Sequence, residues 1–260
     1  MFSIFSAPLP KNSRTFAPVS RSVAVLGVVM LAASTLVIAQ DANAQDANTQ
    51  DTPQTDGASN GASTGQTAGK SADAPFVTIF DGKSLAGWQG DREWFRVEDG
   101  AIVAGKLDQD IPNNWFLSTQ KRYGDFELRV EVKLVGQGNN AGVQFRTERI
   151  PDHHEVIGYQ ADIGMMGDRS IWGSLYDESR RRKFLAENPD VSNAALKPGD
   201  WNEIRVVAKG PKIQIFLNGQ QTVDYTETEP KIPKDGVIAV QVHSGKPLEA
   251  WYRNIRIREL

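Results

Sequence analysis

The sequence lacks cysteine, and it also lacks a strong excess of either charge. Without cysteine the chain has no disulfide, no thiolate nucleophile, no thiolate metal site and no lipidated N-terminal cysteine. Its core and its backbone hydrogen bonds must therefore hold it together. The formal net charge is −3, with both signs spread along the chain. This balance excludes the broad basic surface that binds nucleic acids or anionic lipids.

The sequence also lacks the pattern of a long, capped helix. The best candidate for a short helix covers residues 181–186. From Phe76 onward the apolar residues recur mostly with a period of two, most clearly over residues 126–134. The pairs Asp99-Gly100 and Asn218-Gly219 are typical of tight hairpin turns. No internal repeat indicates a propeller. The sequence therefore predicts an all-β sandwich or barrel.

The N-terminal residues follow the order of a secretory signal peptide. Basic residues between positions 11 and 21 precede an apolar run over residues 23–38, and Ala42-Asn43-Ala44 offers a cleavage site. The run is shorter than the ~20 residues of a spanning helix, which disfavours the alternative of an uncleaved anchor. We expect residues 1–44 to be removed, leaving no transmembrane segment, and the protein to be exported to the periplasm or secreted.

Residues 45–75 form a low-complexity segment rich in Gln, Asp, Asn, Ala, Gly, Ser and Thr. It has almost no large apolar side chain, so burial cannot offset the entropy cost of ordering it. We expect a flexible linker, either a spacer or a neutral connection. One folded domain over residues 76–260 should follow it.

Several predicted strands place hydrogen-bonding groups on one face and apolar groups on the other. An ordinary solvated face is rich in Lys, Glu and Thr, whereas this one carries planar amides, a carboxylate, a guanidinium, an imidazole and aromatic rings. Such groups bind sugar hydroxyls and the apolar faces of sugars. The polar-face residues are Gln144, Arg146, Gln160, Asp162, Gln241, His243, Trp172 and Tyr176. The alternative for any single strand is a solvent-facing sheet surface.

Six segments in order resemble signatures of the 3-keto-disaccharide hydrolase family, and the resemblance spans nearly all of residues 76–260. The segments lie at residues 80–88, 140–146, 158–162, 173–177, 199–202 and 253–257. The resemblance implies a concanavalin-A-like jelly-roll sandwich of two curved antiparallel sheets. It also implies a site on the concave sheet and an enzyme that acts on 3-keto-glycosides.

Cleavage of a 3-keto-glycoside needs a base for the acidified C2 proton, an acid for the leaving group and a stabiliser for the developing oxyanion. Asp162 and His243 are the candidate base and acid, and Arg146 is the candidate oxyanion stabiliser. The candidate substrate-binding residues are Gln144, Gln160, Gln241, Trp172, Tyr176, Glu178 and Arg180. A glycoside 3-oxidoreductase is the expected partner activity that makes the keto group.

Two further alternatives stay open. His154 and Glu155, with Asp162 or His243, could hold a divalent metal, although adjacent loop histidines are more often solvated. No other cofactor is expected. The chain could instead be a non-catalytic carbohydrate-binding module, since this type of fold serves both roles. An enzyme should bring Asp162, His243 and Arg146 together in one pocket. An ordinary retaining glycosidase is disfavoured because paired carboxylates at the required spacing are missing.

Overall fold

The computed structural model describes residues 74–260. The predicted signal peptide and nearly all of the predicted linker lie outside the described residues. Within them, no helix is both long and apolar enough to cross a membrane.

The first of two antiparallel sheets is called here the back sheet. Its strand order is β14-β13-β12-β6-β16-β4-β3, with β1 also paired to β16. The strands are β1 (Val77–Thr78), β3 (Phe95–Glu98), β4 (Ala101–Lys106), β6 (Phe126–Gly136), β12 (Asn202–Lys209), β13 (Lys212–Leu217), β14 (Gln220–Thr226) and β16 (Leu248–Glu259).

The second sheet, called the front sheet, has the order β11-β10-β8-β7-β15-β5-β2, with β9 paired to β8. The strands are β2 (Trp88–Gln89), β5 (Trp115–Tyr123), β7 (Asn140–Arg149), β8 (Val156–Met166), β9 (Arg169–Ser170), β10 (Leu175–Glu178), β11 (Phe184–Ala186) and β15 (Gly236–Val242).

One apolar core lies between the two sheets, and it follows directly from strand alternation. In β6, Phe126, Leu128 and Val130 are buried in this core, while Glu127 between them bonds Arg129 on the outer face. The strands of the front sheet alternate in the same way. The prediction of an all-β jelly-roll sandwich of two antiparallel sheets is confirmed.

The two predicted hairpin turns are present. Asp99 and Gly100 have φ of 47° and 73°, and they join β3 to β4. Asn218 and Gly219 have φ of 48° and 85°, and they join β13 to β14. Two successive positive φ values match the twist of a tight hairpin, which explains the Asx-Gly pairs.

The prediction of a helix at residues 181–186 is wrong. The one helix among residues 74–260, α1, spans Pro189–Ala195, and residues 184–186 form β11. Arg182 has a φ of 51°, which interrupts a right-handed helix. The Asn188 side chain accepts a hydrogen bond from Val191 N at 3.3 Å, and Pro189 follows it at the first helical position.

Candidate functional site

The polar residues of the front sheet meet in rows because its central strands are in register. Tyr176 of β10 lies opposite Gln160 of β8, which lies opposite Gln144 of β7. In the next row Asp162 lies opposite Gly142, which lies opposite Gln241 of β15. Residues two apart on a strand share a face, so these rows line the face turned away from the core.

A pocket of about 390 Å³ opens at the end of these rows. Its walls come from β7, β8, β10, β11 and the segments beside β5, β9 and β15. The pocket is lined by Asn114, Asn140, Glu155, Gln160, Asp162, Met166, Ile171, Tyr176, Glu178, Arg182, Phe184 and His243. Carboxyl, carboxamide, imidazole and aromatic groups therefore converge on a small volume.

A chain of amides fixes the position of the Asp162 carboxyl. Gln144 donates from Nε2 to Gln160 Oε1, and Gln160 donates from Nε2 to Asp162 Oδ1 at 2.6 Å. Thr147 donates from Oγ1 to Gln144 Oε1 at 3.2 Å. Gly142 makes room for this chain, because a Cβ there would lie 2.3 Å from Gln160 Cδ. These contacts give Asp162 a neutral hydrogen-bond donor and no cationic partner within the described part of the chain.

Asp162 carries a carboxyl group that keeps its proton. It is 4% exposed, and desolvation raises its pKa to about 8. The hydrogen bond from Gln160 lowers the pKa in part, whereas the charge of Glu178 raises it further. Burial disfavours the charged form of a carboxyl group, so the neutral acid dominates at pH 7.

Glu178 is a second carboxyl group with a raised pKa in the same pocket. Desolvation and then the charge of Glu155 raise its pKa to about 7. The backbone N–H of Ser179 and the charge of Arg182 oppose this rise. Two buried carboxyl groups with pKa values near neutrality can exchange protons with a bound ligand at physiological pH.

His243 completes the polar wall beside β15. Its Nδ1 donates to the carbonyl of Ser244 at 2.7 Å. Its backbone N–H donates to Asn140 O at 3.4 Å, and Asn114 Oδ1 accepts from Ser244 N at 2.9 Å. Because Nδ1 donates its proton to a carbonyl, Nε2 remains as the acceptor in the neutral ring. Asp162 and His243 thus line the same pocket.

Arg146 does not share that pocket, and the prediction of its place on the polar face is wrong. Its side chain is 2% exposed and donates to Gly124 O at 3.1 Å, Gly210 O at 2.7 Å and Asp125 Oδ1 at 2.9 Å. Arg146 has a φ of 47°, and the register of β7 shifts next to it. This bulge turns the side chain toward the turns that end the sandwich.

Trp172 and Arg180, two other predicted substrate-binding residues, also lie outside the pocket. Trp172 is 5% exposed within the apolar core, so it offers no ring for stacking on a ligand. Arg180 lies outside the pocket, where it pairs with the buried Asp177 and covers the Tyr159 ring at 4.7 Å. The positive φ of Gly173, 73°, breaks the strand alternation that placed Trp172 on the polar face.

The remaining predicted binding residues fall into two layers. Tyr176, Glu178 and Gln160 line the pocket directly. Gln144 and Gln241 are fully buried beneath the polar face. Neither polar side-chain atom of Gln241 has a hydrogen-bond partner among residues 74–260.

The suggested metal ligands lie at the rim. His154 Nδ1 is 3.9 Å from Glu155 Oε1 and donates to Asn114 O at 3.2 Å. Among the residues that the structure describes, no group of three or more His, Asp or Glu side chains is placed to hold a metal ion. Glu155 instead accepts from Asn114 Nδ2 and from Ser179 Oγ, at 3.3 and 3.0 Å.

Several pocket residues were not predicted from the sequence, including Asn114, Asn140, Arg182 and Phe184. Asn114 lies just before β5, where no alternation points to a face, and Asn140 is the first residue of β7. Arg182 belongs to the basic run at residues 180–183, whose sequence is typical of a solvated loop or a short helix. Its exposed side chain lines the pocket, and no salt bridge joins it to an acidic residue in residues 74–260.

Comparisons with known proteins identify two similar sequences and a solved structure of similar fold. The chain is 27% identical to an uncharacterized protein of Methanocaldococcus jannaschii, over 65% of this chain and 72% of that protein. It is 25% identical to the 3-keto-disaccharide hydrolase of Bacteroides thetaiotaomicron, over 71% of this chain and 78% of that protein. A solved structure from Parabacteroides distasonis, provisionally described as a glycosyl hydrolase, matches with a TM-score of 0.52 at 23% identity. That match covers 72% of this chain and 100% of the other.

The family comparison covers the whole sandwich. The model of the 3-keto-alpha-glucoside-1,2-lyase-like domain matches residues 75–258. This range includes both sheets, the amide chain and every residue that lines the pocket. The chain therefore belongs to the family of 3-keto-alpha-glucoside-1,2-lyase-like domains.

Proposed function

We propose that this chain is an exported carbohydrate-active enzyme that cleaves 3-keto-glycosides by C2 proton removal and loss of the aglycone. The observation that carries the proposal is the pair of buried carboxyl groups, Asp162 and Glu178, which share one amide-lined pocket and have raised pKa values. The family match and the relative named as a 3-keto-disaccharide hydrolase support the substrate class.

The reaction follows from the ketone at C3. Removal of the C2 proton leaves an electron pair that is delocalised onto the C3 oxygen. When the pair returns, the C1–C2 double bond forms and the bond from C1 to the aglycone oxygen breaks. The leaving oxygen takes a proton from an acid, and addition of water at C1 completes net hydrolysis. This path needs one base and one acid, both working near neutral pH.

The two carboxyl groups supply these roles. Glu178, with a pKa of about 7, is partly ionised at neutral pH and serves as the base. Asp162, with a pKa of about 8, is mostly protonated, so it serves as the acid for the leaving oxygen in place of His243 and not as the base expected from the sequence. His243 and the carboxamides of Asn140 and Gln160 bind sugar hydroxyls, because they offer both donors and acceptors.

Arg182 takes the role that the sequence analysis gave to Arg146. It lines the pocket, and its charge lowers the pKa of Glu178, which supports a place for Arg182 beside the reacting groups. A cation at this point stabilises the negative charge that develops on the C3 oxygen. Because the substrate is oxidised at C3, an oxidoreductase that acts on the C3 hydroxyl of a glycoside must supply it.

Aglycone release tests the proposal. The mature protein is incubated with a 3-keto-glucoside and with the unoxidised parent glucoside, each with and without a chelator. We expect release from the keto compound alone, unaffected by the chelator. Retention of full activity in Glu178→Gln would contradict the role of Glu178 as the base.

A carbohydrate-binding module is the second candidate function, because an amide-lined pocket also fits sugar recognition without chemistry. Saturable binding of both glucosides, with no release from either, would establish that function instead. The carboxyl pair favours catalysis, since sugar recognition gains nothing from two carboxyl groups that titrate near pH 7.

A further inference from the structure

A second groove lies beside the pocket on the front sheet, with a volume of about 710 Å³. It is lined by Gln89, Asp91, Trp115, Phe116, Arg149, Ile150, Pro151, Asp152, His153 and His154. The two sites share a wall: Asn114 and Glu155 line the pocket, and their chain neighbours Trp115 and His154 line the groove. A ligand that extends from the pocket therefore has a place to continue.

Arg149 stands out in this groove because it is half-buried and has no acidic partner anywhere in residues 74–260. Its Nη1 donates to Phe116 O at 3.2 Å and to Ser118 Oγ at 3.5 Å. Desolvation lowers its pKa, and no nearby anion raises it again. A partly desolvated guanidinium without a counter-charge is costly, so an anionic ligand here would be strongly favoured.

The free side of Arg149 has the geometry that carboxylates prefer. Its Nε and Nη2 make no hydrogen bond within the described chain, so this side of the guanidinium presents two parallel N–H donors. Such a fork binds the two oxygens of one carboxylate together. The side chain starts at the end of β7 and crosses β15 to reach β5, which holds Nη1 and fixes the fork.

Two acidic residues at the groove favour a singly charged over a doubly charged anion. Asp91 and Asp152 also line the groove, and both are exposed to water. Water screens these carboxylates, whereas Arg149 is partly desolvated, so one anion on Arg149 is favoured. A doubly charged group such as a phosphate would meet stronger repulsion from the two acids.

We propose that this groove binds a carboxylate on the leaving part of the substrate, so that the preferred substrates carry an acidic aglycone such as a uronic acid. The inference rests on the proposed function, since it assigns the groove to the group that departs from C1. Arg149 is a specificity residue in this assignment, and it takes no part in moving protons.

A matched pair of disaccharides tests the inference. Both carry the same 3-keto-glucosyl group, and the leaving sugar is glucuronic acid in one and glucuronamide in the other. The measured quantity is the ratio of kcat/KM for the acid to kcat/KM for the amide. We expect Arg149→Met to lower this ratio about 10- to 100-fold, the loss typical of a charge-assisted hydrogen-bond pair. Arg149→Lys should retain part of the preference.

Arg122→Met is the matched control, because Arg122 lies on β5 of the same sheet but pairs with Glu148 and Asp235. It should leave the ratio unchanged. Raising the salt concentration should lower the ratio of the unmodified protein, which tests the charge contact without any variant. The inference would be overturned if the acid-to-amide ratio of kcat/KM were the same in the unmodified protein and in folded Arg149→Met, and if salt did not alter it.

If the proposed catalytic function is wrong, the groove can still be tested by binding. If neither keto-disaccharide is cleaved, calorimetry with the unoxidised acid and amide disaccharides measures binding directly. Tighter binding of the acid that Arg149→Met abolishes would support the groove assignment without catalysis. Equal binding of the two would refute it.

Discussion

Replacing Asp162 by Asn should stabilise the protein at alkaline pH while it removes the acid. The carboxyl is 4% exposed, and burial raises its pKa from 3.8 to about 8. The folded state therefore binds this proton more tightly than the unfolded state does. Between about pH 4 and pH 8 the unfolded chain releases the proton and the folded chain keeps it, so stability falls as pH rises.

The size of the effect follows from the pKa difference. A rise of about 4 pKa units corresponds to roughly 5 kcal/mol of lost stability at pH 9 relative to pH 4. The pocket opens to water, which reduces the penalty, so a loss of about 3 kcal/mol is the working expectation. In a domain of this size that loss corresponds to roughly 6–12 °C in Tm. Asp162→Asn has no such proton to lose, so its Tm should exceed that of the parent at pH 9.

Thermal unfolding at pH 5 and pH 9 measures this difference. Glu227→Gln is the control of opposite sign, because its pKa is lowered to about 2. Desolvation raises that pKa, but hydrogen bonds from Arg181 and Tyr159 outweigh the rise. Glu227→Gln should therefore lower Tm at both pH values. If the Tm difference between Asp162→Asn and the parent is the same at pH 5 and pH 9, Asp162 is not protonated near neutrality and the assigned acid is wrong.

Three further predictions follow from the site. The pH profile of kcat/KM should be bell-shaped with its maximum between pH 7 and 8, since Glu178 must be ionised and Asp162 protonated. Glu178→Gln should remove the acidic limb of this profile. A flat profile of the unmodified protein would contradict both roles. Gly142→Ala should lower kcat about 10-fold or more, because the added Cβ displaces the Gln160 side chain from the Asp162 carboxyl group. An unchanged kcat would show that the amide chain does not position Asp162. Arg146→Met should lower the free energy of unfolding, measured with urea, by about 1–3 kcal/mol, while the folded variant retains its kcat. A loss of kcat at unchanged stability would indicate that Arg146 acts in the site after all.

Strand alternation predicted the fold and part of the site. The period of two over residues 126–134 identified β6 and its core face, and the Asx-Gly pairs located two hairpins. The same rule brought Gln160 and Asp162 to one face, where they bond each other. Alternation is local, so it is reliable wherever a strand stays regular.

The errors occur where the strands are not regular. A bulge with a positive φ at Arg146 turns that side chain to the end of the sandwich. Gly173 breaks the pattern that placed Trp172 outside the core. No residue type marks the bulge at Arg146 in the sequence, whereas Gly173 is a signal that the strand pattern beside Trp172 could be interrupted. Asn114 and Arg182 reach the pocket from segments between strands, whose position depends on the whole sandwich.

Two buried carboxyl groups, Glu127 on the back sheet and Asp162 on the front sheet, have pKa values shifted in opposite directions, and this contrast locates the chemistry. On the back sheet, burial raises the pKa of Glu127, but hydrogen bonds from Arg258 and Arg129 outweigh it and lower the pKa overall. On the front sheet, Asp162 receives a hydrogen bond from the neutral amide of Gln160, which cannot offset its desolvation. Cationic neighbours make a carboxyl group a permanent anion, whereas amides leave it able to hold and release a proton. The neutral amide beside Asp162 is therefore what allows an acid to exist at this site at neutral pH.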